Sequence, residues 1–222
     1  MSSPSALFPS GPATVQELRE SPRTPGRYLV VLSTGGRCVV GVEALAECGA
    51  TRIGAAVDAA QVEMLRRAGA ISALVDRILN MLARSRRTRR ELELRLRRLE
   101  PDMALITVAL DRVAALGLVA DEEVARAEAS ARLRRGEAPG RVRQVLRRKG
   151  IGARGAEQAI AEAVADDAFD ELATCRTQAE KRWRSLERLE PAVAQRRLVA
   201  FLQRRGFASG VIRTVLGELR RR

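Results

Sequence analysis

The chain of 222 residues carries 40 Lys and Arg against 27 Asp and Glu, a formal net charge of +13, with 46% hydrophobic and only 3% aromatic residues. It has no histidine, which excludes histidine acid–base chemistry, His-containing triads and His metal ligands. No apolar run approaches the ~20 residues of a membrane span, and Cys38, Cys48 and Cys175 form no CxxC motif.

Residues 1–26 hold five of the eight prolines and several serines, so a disordered Pro/Ser-rich tail is expected there. Residues 1–14 lack the charged and apolar regions of a secretory signal, and the scattered thiols suit a reducing compartment. A cytoplasmic protein without membrane association is therefore expected. Residues 27–72 form the next region. Two β-branched runs in 27–42 flank Ser33-Thr34-Gly35-Gly36, the pattern of a small β-hairpin. Short helices follow. Residues 43–48 end at Gly49, and Asp58 caps a helix over 59–68 that stops at Gly69.

A helical array begins at residue 73. The first expected module, 73–119, opens with Leu74, Ile78 and Leu82 on one stripe. Its second helix spans 89–99, with Leu92, Leu96 and Leu99 inward. Its third starts at Pro101, presents Ile106, Ala109, Leu110 and Val113 inward, and stops at Gly117. The second module, 120–165, opens at Ala120 with Asp121 as N-cap. Pro139 and Gly140 break the chain before its second helix. The third module, 166–222, opens on Asp166-Asp167. Its first helix carries Trp183, its second starts at Pro191 and stops at Gly206, and its last runs over 209–220.

These modules repeat. With Leu96, Leu146 and Leu202 in one column, the following residues are Arg97-Arg98, Arg147-Arg148 and Gln203-Arg204. Fourteen positions later come Leu110, Ile160 and Leu216. A period of about fifty residues with matched apolar columns marks a helical repeat protein, which presents an extended surface to a partner. The fold class expected is all-α, three tandem three-helix modules in an elongated array, with a small N-terminal β-hairpin and helix region.

Charge concentrates on the second helices. Residues 84–98 hold eight arginines and two acids; residues 132–149 hold eight basic residues and one acid. With Leu92, Leu96 and Leu99 buried, Arg87, Arg90, Arg97 and Arg98 should face solvent. With Val142, Val145 and Leu146 buried, Arg141, Arg143, Arg147, Arg148 and Lys149 should form a cationic patch, and Arg204 and Arg205 end the matching helix of the third module. A solvated helix face is the plain alternative, but the skew favours a binding patch for a polyanion. Aromatics do not interleave, and Asn and Gln are scarce, so contacts to DNA would be to phosphates and independent of sequence. The acidic pairs Asp166-Asp167 and Asp121-Glu122-Glu123 lack a phosphate loop or a His partner. Helix capping accounts for them. Ser33 and Thr34 are turn residues. No catalytic residue, metal ligand or cofactor site is expected.

Three segments carry a resemblance to a known family. Residues 82–96, LARSRRTRRELELRL, are similar to an "L..R..S..EL...L" opening. Residues 117–132, GLVADEEVARAEASAR, are similar to a "G.i.D..fA......R" segment, and 198–216, LVAFLQRRGFASGVIRTVL, to an "L...L.rRGF....I..vl" closing. In this order and spacing they resemble the RecX regulatory proteins of bacteria, negative modulators of the RecA recombinase. The resemblance implies a curved arm of three three-helix modules lying in the groove of the RecA–DNA filament. It implies inhibition of strand exchange, ATP hydrolysis and co-protease activity, in DNA repair and SOS regulation. It implies a non-enzyme and a monomer, with the RecA filament and single- or double-stranded DNA as partners. The alternative is a sequence-independent DNA-binding protein whose basic helices grip phosphate directly; an enzyme is a distant third.

Overall fold

The computed structural model describes residues 11–22 and 24–220. Of the tail expected over 1–26, residues 1–10 and 23 lie outside the described residues, and the remainder brings one correction. Ala13–Glu20 is a strand, β1. Ala13 and Val15 alternate with Thr14 and Gln16, and the two apolar residues are buried. That period of two is the mark of a half-buried strand, and the flanking prolines bound it rather than dissolve it.

β1 pairs antiparallel with β2 (Arg27–Leu32), and β2 with β3 (Arg37–Gly41) through the expected turn at Ser33 to Gly36. A two-residue strand β4 (Ala56–Val57) pairs on the other side of β1, giving the order β3-β2-β1-β4. Short helix α1 (Val42–Glu47) follows β3. Val15, Val30, Leu32, Val40, Leu45, Val62 and Leu65 form the core beneath this sheet.

Helix α2 runs unbroken over Ala59–Leu82. Asp58 caps it as expected, in a reciprocal capping box with Gln61. The expected stop at Gly69 is a correction. A Cβ there would lie 2.5 Å from Cβ of Cys38, so the glycine permits close approach of the helix to β3 instead of ending it. The helix thus serves both the sheet and the helices that follow. Val62 and Leu65 face the sheet core, while Ala70, Ile71, Leu74 and Ile78 face a second core.

Helix α3 spans Arg89–Leu96 and α4 spans Met103–Ala115. Leu92, Leu96, Leu105, Ile106, Ala109, Leu110 and Val113 complete the second core. Each such leucine contributes about 1.5–3 kcal/mol on burial. Leu99 corrects the sequence reading, for it is 40% exposed. The residue before a proline avoids helical geometry, and Glu100 precedes Pro101. α3 therefore ends early, and Leu99 falls off its buried stripe. Pro101 also precedes the helix start, since Asp102 is the N-cap of α4.

The chain divides into two compact units, Met1–Val119 and Ala120–Arg222. The second is entirely helical among its described residues: α5 (Asp121–Arg134), α6 (Pro139–Arg148), α7 (Ala153–Asp166), α8 (Glu171–Arg184), α9 (Pro191–Arg204) and α10 (Ser209–Leu219). α5, α6 and α7 enclose one core, including Ala129, Leu133, Val142, Leu146 and Ile160. α8, α9 and α10 enclose another, around Cys175, Leu198, Leu202, Ile212 and Val215. The aligned anchors Leu96, Leu146 and Leu202 are all fully buried.

Two acidic helix starts need correction. Asp121 is the first residue of α5 rather than its cap; Ala120 holds that place and makes no side-chain cap bond. Asp166-Asp167 end α7 instead of opening α8, whose cap is Asp170. Ala168 has φ of 46°, so the chain turns there, between the acidic pair and the next helix.

Candidate polyanion-binding surface

The basic residues of α6 are sorted by its one apolar stripe. Val142 and Leu146 are fully buried, and Val145 is half-buried. Arg147 and Arg148 lie off that stripe and are exposed. Arg143, also expected in the cationic patch, is half-buried and ion-paired. Its guanidinium forms a two-pronged ion pair with Glu157 of α7, including Nη2 to Oε2 at 2.9 Å. That hydrogen bond holds the Glu157 carboxyl below the usual carboxylate range. Lys149 is also held, with Nζ 3.1 Å from Glu128 Oε2 on α5. Glu128 in turn pairs with Arg132, which reaches Glu137 Oε2 at 2.8 Å. Burial alone would raise the Glu128 pKa, but hydrogen bonds from Arg132 and Lys149 outweigh it and lower it. Arg141 is half-buried, and its Nη1 donates to Gln144 at 3.3 Å.

The end of α9 lies beside the start of α6. The Ala138 N–H donates to the Arg205 carbonyl at 3.0 Å. Arg205 is half-buried over the Phe201 ring, 5.2 Å from its centroid, and Nη1 donates to the Arg135 carbonyl. Arg204 next to it is exposed.

On the first unit, Arg90, Arg97 and Arg98 are exposed on and just beyond α3. Arg97 is engaged by Glu93 and donates to the Met103 sulfur at 3.2 Å. Arg87 is half-buried in the turn before α3, and its Nε is buried without a hydrogen-bond partner among the described residues. Of the eleven expected contact residues, Arg90, Arg98, Arg147, Arg148 and Arg204 are therefore exposed and without an ion pair among the described residues, although Arg147 adds to the charge that lowers the Glu157 carboxyl. Arg77, Arg84 and Arg95 are not among the expected contact residues, although Arg84 and Arg95 belong to the basic stretch 84–98. They line one cleft with Arg98. Nothing in the spacing groups Arg84, Arg95 and Arg98 with Arg77, because the cleft exists only once α2 and α3 pack together.

Among the described residues no group of three His, Cys, Asp or Glu is placed to hold a metal. None of the described helices is long and apolar enough to cross a membrane. What the exposed arginines offer is electrostatic: flat, permanently charged donors suited to phosphate or carboxylate.

A small antiparallel sheet leads into helix triads whose surfaces carry exposed arginines, which defines a mostly helical, arginine-rich class of protein. Known proteins with this architecture carry a name. The family model "RecX, third three-helix domain" matches residues 170–216. Regulatory protein RecX of Halorhodospira halophila is 35% identical over 147 residues, 66% of this chain and 88% of that protein. Regulatory protein RecX of Deinococcus radiodurans is 39% identical over 132 residues, 60% of this chain and 61% of that protein. A crystal structure of regulatory protein RecX superposes with a TM-score of 0.73, covering 92% of this chain and 99% of that one at 20% identity. The structure of RecX from Lactobacillus salivarius gives 0.56 at 26% identity, over 67% of this chain and 96% of that one. The chain belongs to the RecX family of regulatory proteins.

Proposed function

We propose that the protein is a negative regulator of the RecA recombinase, acting in the cytoplasm without catalysis of its own. It binds in the groove of the RecA–DNA filament and restrains ATP hydrolysis, strand exchange and co-protease activity. The observation that carries this reading is the 35% identity to a regulatory protein RecX across 88% of that protein's length. The charge distribution supports it. Arg147 and Arg148 project from a helix whose buried stripe excludes them, and they can meet phosphates or acidic side chains without loss of core packing. The three helical cores support treating 73–119, 120–165 and 166–222 as three modules. The test is Arg147→Glu with Arg148→Glu, leaving Arg143 in its pair with Glu157. Exposed substitutions of this kind cost about 0.5 kcal/mol or less each. The expected result is a folded protein by circular dichroism that no longer inhibits RecA ATPase on single-stranded DNA. Wild-type inhibition should also weaken as salt rises. A folded variant that inhibits at the wild-type concentration would remove this face from the mechanism.

A further inference from the structure

Arg77, Arg84, Arg95 and Arg98 line a cleft of about 590 Å³ between α2 and the end of α3, together with Asn80, Met81 and Leu99. Ligand sites span ~300–1,000 Å³. No carboxylate lines this one, and none of the four guanidiniums has an ion pair among the described residues. On the same unit Arg66 is matched by Glu63, Arg89 by Asp111 and Arg97 by Glu93, so the four cleft arginines stand out by being gathered around one concavity. Four unmatched like charges around one concavity repel each other, and an anion relieves that repulsion.

Helix ends explain part of this arrangement. Arg84, Arg95 and Arg98 lie near the C-termini of α2 and α3, each end worth roughly −0.5 charge. Together the two ends offset about one of the four positive charges. The effect also fades within the last turn, so it gives no reason for Arg77, five residues before the end of α2.

The apolar part of the lining selects among anions. Leu99 is held at the cleft 40% exposed, with Met81 beside it. An acidic peptide would satisfy the arginines and leave this surface unused. A nucleotide unit presents a phosphate and an apolar sugar and base face within one residue. In a duplex the base faces are stacked away, and only the phosphate is offered. We infer that this cleft seats one nucleotide unit of a single-stranded nucleic acid, phosphate against the four arginines and sugar–base face against Met81 and Leu99. The site goes beyond the filament-binding reading and needs no recombinase to be tested.

The experiment titrates the full-length protein into a fluorescein-labelled oligodeoxythymidylate and follows anisotropy at several salt concentrations. Arg84→Gln with Arg95→Gln should weaken binding about tenfold or more. The slope of log K against log salt should fall by about 0.7, the share of the one phosphate the cleft holds. Leu99→Ser should weaken the single strand several-fold and leave a duplex of equal length unchanged. Arg84→Lys with Arg95→Lys should keep the salt slope while losing part of the affinity, which separates charge loss from misfolding. Unchanged affinity in the folded glutamine variant would overturn the site. So would equal sensitivity of the duplex to Leu99→Ser. Displacement of the oligonucleotide by polyglutamate at equal charge would overturn it too, pointing to an acidic protein segment. Failure of the Arg147 and Arg148 variant in the ATPase assay leaves these outcomes untouched, so the two readings stand or fall separately.

Discussion

Gly140, in the first turn of α6, sits against the carbonyl of Gly206 at the end of α9: a Cβ on Gly140 would lie 2.5 Å from that oxygen. The reverse contact is tighter still, since a Cβ on Gly206 would lie 2.2 Å from the Arg141 nitrogen. Two glycines thus let two backbones meet where side chains would hold them apart, and the Ala138 to Arg205 hydrogen bond closes the junction.

Gly140→Ala should therefore destabilise the protein by about 1–3 kcal/mol, the usual range for forcing atoms into a packed site. Gly206→Ala should cost more, because its φ of 86° also disfavours a side chain. Thermal unfolding followed by circular dichroism would report both. A Gly140→Ala protein with the wild-type Tm would show that the junction is loose.

Capping offers a second comparison. Asp58 accepts from the Gln61 N–H at 2.8 Å within a full capping box, whereas Asp121 is already inside its helix. Asp58→Ala should cost about 1 kcal/mol. Asp121→Ala should cost less, because Asp121 lies inside α5 and its loss removes no cap. Urea denaturation of the two variants would rank them. The reverse order would undo the assignment of caps.

The third concerns acid. Glu128 has a folded pKa below its ordinary value of 4.5, because Arg132 and Lys149 hydrogen-bond its charged form more strongly than burial penalises it. A depressed carboxylate contributes stability that is present above the ordinary pKa and is lost as pH falls through the folded one. Wild type should therefore lose stability as pH drops below about 4.5, and Glu128→Gln, already neutral, should show a shallower decline. Urea midpoints measured across that range would decide. Parallel curves for the two proteins would mean that the Glu128 network contributes nothing to acid sensitivity.

Much of this architecture is legible in the sequence, because burial follows periodicity. The stripes through Leu92 and Leu96, Val142 and Leu146, and Leu198 and Leu202 are all buried as their spacing requires. The hairpin, the cap at Asp58 and the helix start at Pro191 follow from local chemistry. The failures share a different cause, which is dependence on distant partners. Gly69 reads as a stop until Cys38 is seen against it. β1 reads as tail until its partners β2 and β4 are known. The surface is legible as charge but not as free charge: nothing in the spacing says that Arg143 belongs to Glu157 or Lys149 to Glu128.

Helix α2 has a consequence for how the protein can be shortened. It is a single rod of 24 residues, about 36 Å long, whose first half seals the sheet and whose second half seals the first helical core. A truncated chain beginning at residue 73 would discard Ala70 and Ile71 from that core and leave Leu74 and Ile78 on a frayed stub without its cap. The sheet is thus no detachable accessory. Trimming it would leave the α2 wall of the arginine-lined cleft on that frayed stub, so the N-terminal region and the first helices must be kept, lost or transplanted together.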